Sequence, residues 1–363
     1  MADITPFTIA IPQAEIDDLR ARLRATRWTD EVTDDWSQGT PQAPLRRLVE
    51  YWANDYDWRA AEARWNERDQ VIVDGVHAVR AGTRGATPLL LLHGWPDGIV
   101  RFERALPFLA ERFELVIPSI PGYGFSARPT EGSGPAVVAD QMAGLMAALG
   151  FDRYGVHGAD IGAQIAEQVA LRHPDHVSGL HFGNVPLRRM RGLDPSEMTD
   201  AERAWATASA EWEATEGAYG HQQRTKPQTI GASLNDSPAG LASWMLEKFH
   251  AWSDRDGDDV FSVYTLDEIA TNLSIYWFTQ TAASAARYYF YSRSTPLTDG
   301  LVAVPTGVAE FPREILHTPR ESAARWFSVV RWTDMERGGH FGPWEDPEAW
   351  SLEISAFFDQ IGE

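Results

Sequence analysis

Three short stretches of this chain are almost wholly apolar, and helical patterns separate them. Residues 87–92 read Thr-Pro-Leu-Leu-Leu-Leu and run into His93-Gly94-Trp95-Pro96. A strand buried on both faces of a sheet reads this way. Residues 113–118 form a second such stretch and 154–158 a third. Residues 102–112, 135–149 and 163–173 carry helical patterns. Strand and helix in alternation predict a parallel sheet with helices on both faces. Upstream, Ile16, Leu19 and Leu23 fall at helical spacing within 14–27, and Leu45, Leu48, Tyr51 and Trp52 share one side of 43–66. Residues 70–73 alternate weakly, as a half-buried strand does. After residue 173 the alternation stops. Residues 196–290 are mostly helical in pattern and rich in Trp, Tyr and Phe. Residues 302–305 and 329–332 read as later strands of the same sheet, and 347–360 as a last helix. The stretch 191–295 is therefore expected to be a helical insertion within one α/β domain. The core is then 81–190 with 296–363, and residues 1–80 form an N-terminal segment.

Composition narrows the function. The 363 residues are 44 % hydrophobic and 23 % charged, which excludes disordered, collagen-like and coiled-coil chains. The formal charge is −20, and no basic run offsets it. Nucleic acid is therefore not an expected partner, nor is a membrane surface. With no cysteine, disulfides, thiolate metal sites and thiol nucleophiles drop out. The N-terminus lacks the basic and apolar regions of a signal peptide, and no apolar run approaches membrane-spanning length. The expectation is a cytoplasmic protein, with self-association left open.

Gly158-Ala159-Asp160-Ile161-Gly162 joins the third strand to its helix. Small residues around a central side chain at such a junction make a nucleophile elbow, whose usual occupant is Ser. Asp as a plain helix N-cap is the competing reading. A carboxylate in this place attacks an sp3 carbon bearing a leaving group and forms an ester on the enzyme. That ester needs a base and an oxyanion hole to be cleaved. The backbone N–H groups of Trp95, in the loop after the first buried strand, and of Ile161 can supply the hole. His340 follows Gly338-Gly339 on a loop late in the chain, where the base of such a site falls. His173 and His176 flank Pro174 at a helix end, and His157 lies within a strand. The acid that orients His340 is to be sought among Glu310, Glu314, Asp334 and Glu336, of which the last two lie close to His340 in the chain.

Beyond single motifs, the chain resembles the microsomal-type epoxide hydrolases of the α/β-hydrolase fold. The likeness is carried by HGWPDG at 93–98, PGYGFS at 121–126, HGADIG at 157–162 and NDSPAGLASWMLEKF at 235–249. TNLSIYW at 271–277, FPREILHTP at 311–319, RGGHF at 337–341 and an N-terminal segment from about residue 5 extend it over the whole chain. The resemblance implies a mostly parallel eight-stranded sheet, a family-specific N-terminal segment wrapping core and cap, and an inserted helical cap. It implies Asp160 as nucleophile, His340 as base and Glu314 as acid. Tyr219 and Tyr289 match the two cap tyrosines that donate hydrogen bonds to the epoxide oxygen, with Tyr276, Tyr288 and Tyr291 as neighbouring competitors. Where the family commonly has Trp after the nucleophile, this chain has Ile161.

The expected reaction adds water to an epoxide and releases a vicinal diol, with no metal and no cofactor. Trp95, Trp277 and Phe341 are expected to line the substrate pocket, beneath a roof that includes Trp212, Trp244, Trp252 and Phe278. The expected substrate is a bulky epoxide, apolar or aryl-substituted. A haloalkane or haloacid dehalogenase uses the same Asp elbow but needs halide donors in place of the tyrosines. A Ser-type esterase is disfavoured by Asp160, and a non-catalytic binding module by the full set of roles. Two other motifs are set aside. Residues 122–127 fit a loose dinucleotide-binding pattern, but prolines crowd them and no helix opens there. Asp254, Asp256 and Asp258 resemble the start of a calcium loop whose required Gly and Glu are replaced by Asp259 and Thr265.

Overall fold

The computed structural model describes residues 3–363. Nine strands form one sheet: β1 (Ile4–Pro6), β2 (Asp69–Val73), β3 (Val76–Gly82), β4 (Thr87–Leu92), β5 (Phe113–Pro118), β6 (Tyr154–Gly158), β7 (Val177–Phe182), β8 (Val302–Glu310) and β9 (Phe327–Asp334). Their order is β1-β2-β3-β5-β4-β6-β7-β8-β9. The strands from β5 to β9 pair in parallel, while β1, β2, β3 and β5 pair antiparallel. The expected eight strands thus become nine. Three of them, β1, β3 and β7, have no counterpart in the hydrophobic pattern; β1 is an exposed three-residue edge strand that registers Ile4 opposite Val73. It ends in Pro6, which an edge position tolerates, and it is too short and too polar to show in a hydrophobic pattern.

The four leucines of β4 are completely buried at the centre of the sheet. Successive residues of β6 point to opposite faces. His157 meets Trp350 of the C-terminal helix Pro347–Gln360, and Gly158 meets the backbone of the helix Ile161–Arg172. The expected helix at 102–112 is only a short turn followed by Leu106–Leu109. Residues 43–66 form two helices, Gln42–Asn54 and Trp58–Asn66. The break falls where the Asp57 carboxylate accepts the Arg59 N–H and starts the second helix.

Between β7 and β8 the chain forms seven α-helices: Leu187–Arg191, Asp200–Thr215, Ala218–Thr225, Pro227–Asp236, Pro238–Trp252, Leu266–Thr279 and Ala282–Ser292. Capping boxes start two of them, at Thr199 with Glu202 and at Thr265 with Glu268. The N-terminal helices are fastened to this insertion. Tyr51 Oη donates to Asp267 at 2.7 Å, Trp52 Nε1 donates to Ser274 Oγ at 2.8 Å, and the Tyr56 and Thr271 hydroxyls meet at 3.0 Å. Among the described residues, no helix is long and apolar enough to cross a membrane.

Candidate active site

The site begins at the junction of β6 with the helix Ile161–Arg172. Asp160 holds φ 54° and ψ −123°, a strained conformation for a residue with a side chain. Close packing enforces it: a Cβ on Gly162 would lie 2.3 Å from the Leu92 carbonyl oxygen. The Asp160 N–H donates to Asn184 Oδ1 at 2.6 Å. Beyond Ile161, the Asp160 carboxylate accepts no side-chain cap hydrogen bond from its own helix, so the N-cap reading does not describe it. Its Oδ1 instead accepts the Trp95 N–H at 2.9 Å. Burial alone would raise its pKa. The His340 ring, together with the N–H groups of Ile161 and Trp95, outweighs burial and holds the carboxyl below its ordinary value.

His340 approaches from the other side, with Nε2 3.6 Å from Asp160 Oδ2. Its loop is fixed by backbone contacts: the His340 N–H donates to the Trp252 carbonyl at 2.9 Å, and Gly338 adopts φ 101°. The ring Nδ1 lies 2.7 Å from Glu314 Oε1. Burial acts to lower the imidazole pKa, but the charge of Glu314 and the contacts with Asp160 prevail and raise it to about 10. The placement between two acidic side chains thus favours the imidazolium form. The other acids turn elsewhere. Glu310 accepts His317 Nδ1 at 2.7 Å, while Asp334 and Glu336 are exposed.

Several residues that the sequence did not single out hold this geometry. The Gly94 N–H donates to Asp97 Oδ1 at 2.9 Å, and the buried Asp97 pairs with Arg101 at 2.5 Å. Arg101 also donates to the His340 carbonyl at 2.7 Å. Asn272 Nδ2 donates to the Pro96 carbonyl at 2.9 Å and Tyr276 Oη to the Asp97 carbonyl at 2.7 Å. Asn184 belongs with them. The one visible signal was an acid and a base four residues apart at Asp97 and Arg101.

Tyr219 and Tyr289 come from two helices of the insertion. The Tyr219 ring stacks on Trp95, with centroids 5.0 Å apart and planes 6° apart. The Tyr289 ring stands edge-on to both, 6.1 Å from each. Burial, and then the charge of Asp160, pushes the Tyr219 phenol well above its ordinary pKa; burial, Tyr219 and Asp160 do the same for Tyr289. Both stay protonated donors. Of their competitors, Tyr276 is spent on the Asp97 carbonyl, and Tyr291 packs against Gly132.

A cavity of about 440 Å³ opens over these groups, lined by Asp160, His340, Glu314, Tyr219, Tyr289 and Trp212 among others. The expected pocket residues need correction. The Trp95 ring lies under Tyr219, and only its N–H serves the site. Phe341 is wholly buried behind His340, against Phe249 and Trp252. Trp277 is also buried, on the far side of its helix, with the Arg22 guanidinium 5.8 Å over its ring. None of the three lines the cavity. No group of metal-ligating side chains occurs among the described residues. Asp254 instead accepts the Gly338 N–H at 2.9 Å, and Asp258 pairs with Arg255 at 3.2 Å.

A parallel sheet that presents a strained side chain at the β6 turn to a histidine from the last loop is the working arrangement of the α/β hydrolases. The sequence comparisons agree. Residues 87–347 match the alpha/beta hydrolase fold family, and residues 4–102 match the family described as Epoxide hydrolase N terminus. The chain is 39 % identical to a protein of Stigmatella aurantiaca, over 99 % of this chain and 85 % of that one. It is 32 % identical to epoxide hydrolase 1 of Sus scrofa, over 98 % and 88 %. The crystal structure of juvenile hormone epoxide hydrolase from Bombyx mori superimposes with a TM-score of 0.89 at 28 % identity, covering 99 % of this chain and 95 % of that one. The chain belongs to the epoxide hydrolase family and is a hydrolase.

Proposed function

We propose that the chain opens an epoxide through a covalent ester on Asp160 and hydrolyses that ester to a vicinal diol. The observation that carries this reading is the position of the Asp160 carboxylate. It stands at a strained turn, with His340 on one side and two protonated phenols across the cavity. Asp160 attacks a ring carbon, the carbon–oxygen bond breaks, and the leaving oxygen takes a proton from Tyr219 or Tyr289. The phenol pair suits an oxirane oxygen and gives no reason to prefer a halide.

Ester formation removes the charge of Asp160. His340 then loses one of the two anions that sustain its proton, and its pKa falls. The proton it gives up balances the one donated by the phenol. Neutral His340, oriented by Glu314, deprotonates water for attack on the ester carbonyl. The Trp95 and Ile161 N–H groups stabilise the tetrahedral oxyanion. Collapse expels the diol oxygen, which takes a proton from His340, and the Asp160 carboxyl left behind passes its own proton to His340, restoring the resting state. Residues 191–295 act as the cap over this reaction, and residues 1–80 as the segment that binds cap to core.

His340→Gln tests the sequence of steps. This variant gains the mass of one epoxide on Asp160 and stalls. In wild type, a single turnover in heavy-oxygen water labels the Asp160 carboxylate and leaves the diol unlabelled. A labelled diol with unlabelled Asp160 would mean that water attacks the epoxide directly, and the nucleophile assignment would fail.

A further inference from the structure

The cavity wall carries a charge pattern opposite to that of the protein. The chain bears −20, yet Arg188, Arg191, Arg224 and Arg293 all border the cavity. Three of them are partly answered. Arg188 pairs at 2.5 Å with the fully buried Glu167, which Arg189 also contacts. Arg191 and Arg224 share the single carboxylate of Glu213. Among the described residues, the Arg293 side chain has neither an ion pair nor a hydrogen bond, its backbone N–H alone donating to the Tyr291 carbonyl. Tyr288 is buried and borders the cavity beside them.

The placement sets a distance. Tyr289, Ser292 and Arg293 lie at i, i+3 and i+4 at the end of the helix Ala282–Ser292 and all border the cavity. Positions at this spacing share a helix face, and one turn advances about 5.4 Å. The phenol proposed to hold the oxirane oxygen is thus about one turn from an unpaired cation. The floor of the site is anionic, through Asp160 and Glu314, and the rim is cationic. A neutral, purely apolar substrate uses none of this rim.

We propose that the substrate is an epoxide carrying an anionic carboxylate or phosphate several bonds from the ring, received by Arg293 at the cavity rim with the neighbouring arginines adding field. This rests on the epoxide-opening reading above and names its substrate class. Within an acidic protein, a local cationic mouth also concentrates an anion at the one place where it reacts. The guanidinium fork matches either oxyacid.

The test uses three matched epoxides, a long-chain epoxy acid, its methyl ester and the corresponding phosphonate, on wild type, Arg293→Gln and Arg293→Lys. Arg293 is exposed, so neither change threatens the fold. Wild type is expected to favour an anionic substrate over the ester in kcat/KM by about tenfold or more, the scale of one charged hydrogen bond. Most of that preference resides in KM. It collapses in Arg293→Gln, persists in part in Arg293→Lys, and shrinks as salt is raised. Acid against phosphonate identifies the oxyacid. Equal or better use of the ester by wild type, or an unchanged preference in Arg293→Gln, overturns the proposal. Calorimetric binding of the diol acid and the diol ester separates the two readings, because it needs no turnover. Loss of diol formation with every epoxide would defeat the reaction, whereas equal binding of the two diols would defeat the anion site.

Discussion

Asp160→Asn imitates the loss of charge that the proposed ester would impose, while keeping the shape of the side chain. In wild type the His340 imidazole is raised to about 10, against an ordinary value of about 6.5. With the ring 2 % exposed, screening by solvent is slight, and the displacement corresponds to on the order of 5 kcal/mol. The folded pKa lies above the unfolded one. The stabilisation is therefore complete below about pH 6.5, fades as pH rises, and is gone above about 10. In Asp160→Asn, burial still opposes the imidazolium and Glu314 alone supports it, so the pKa falls. At pH 8 the wild-type ring is cationic and the variant ring shifts toward neutral. Nitrogen chemical shifts of labelled histidine read this directly, assigned by comparison with His340→Gln. Denaturant midpoints at pH 6.5 and pH 10 read it as stability, with wild type losing several kcal/mol more than the variant. A wild-type His340 that titrates near 6.5, or at the same pH in both proteins, would refute the reasoning that alkylation of Asp160 turns this histidine into a base.

Glu314→Gln is expected to slow diol release by about 10²- to 10⁴-fold, as loss of an orienting carboxylate does elsewhere, while Glu310→Gln stays near wild type; single-turnover diol formation compares them, and the reverse ranking would move the acid to Glu310. Tyr219→Phe and Tyr289→Phe should each slow ester formation by roughly 10²-fold, the low end for a general acid, and the double variant should nearly abolish it; an unimpaired double variant, seen by rapid quench and mass spectrometry, would remove the phenols from the reaction. Asn184→Ala leaves the Asp160 N–H without its acceptor, which should cost about 1–3 kcal/mol and lower ester formation; unchanged urea unfolding together with an unchanged rate would show that Asn184 does not hold the turn.

The sequence made the centre of the fold plain and its edges obscure. The run of leucines at 89–92 is apolar because both faces of β4 are covered, and that signal needs no tertiary knowledge. β7 is just as buried, but Ser178 and Gly179 interrupt its apolar run, and the pattern does not show it as a strand. At the site, Asp160 and His340 stand out because their turns demand particular neighbours. Glu314 did not separate from Glu310 by pattern alone, since only the folded loop shows which carboxylate turns to the imidazole and which to His317. Trp277 was misplaced for a similar reason. Its helix is buried nearly all round, so composition gives no sign that Asn272 and Tyr276 face the Trp95 loop while Trp277 faces the N-terminal helix. The arginines of the rim lie in three separate segments, and their convergence is a product of the fold.

The bonds from Asn272 and Tyr276 to the loop at 96–97 have a consequence for substrate traffic. They rivet the insertion to the core on the β4 side, and the contacts of Tyr51, Trp52 and Tyr56 brace the same helix from behind. Widening of the cavity is expected away from those bonds, where the segment 187–192 and the end of the helix Ala282–Ser292 both border it. Arg191 and Arg293 are exposed and border the cavity there. Groups at that border would face substrate on arrival and product on departure alike, so they are expected to bear on turnover in both directions, including the rate at which product clears.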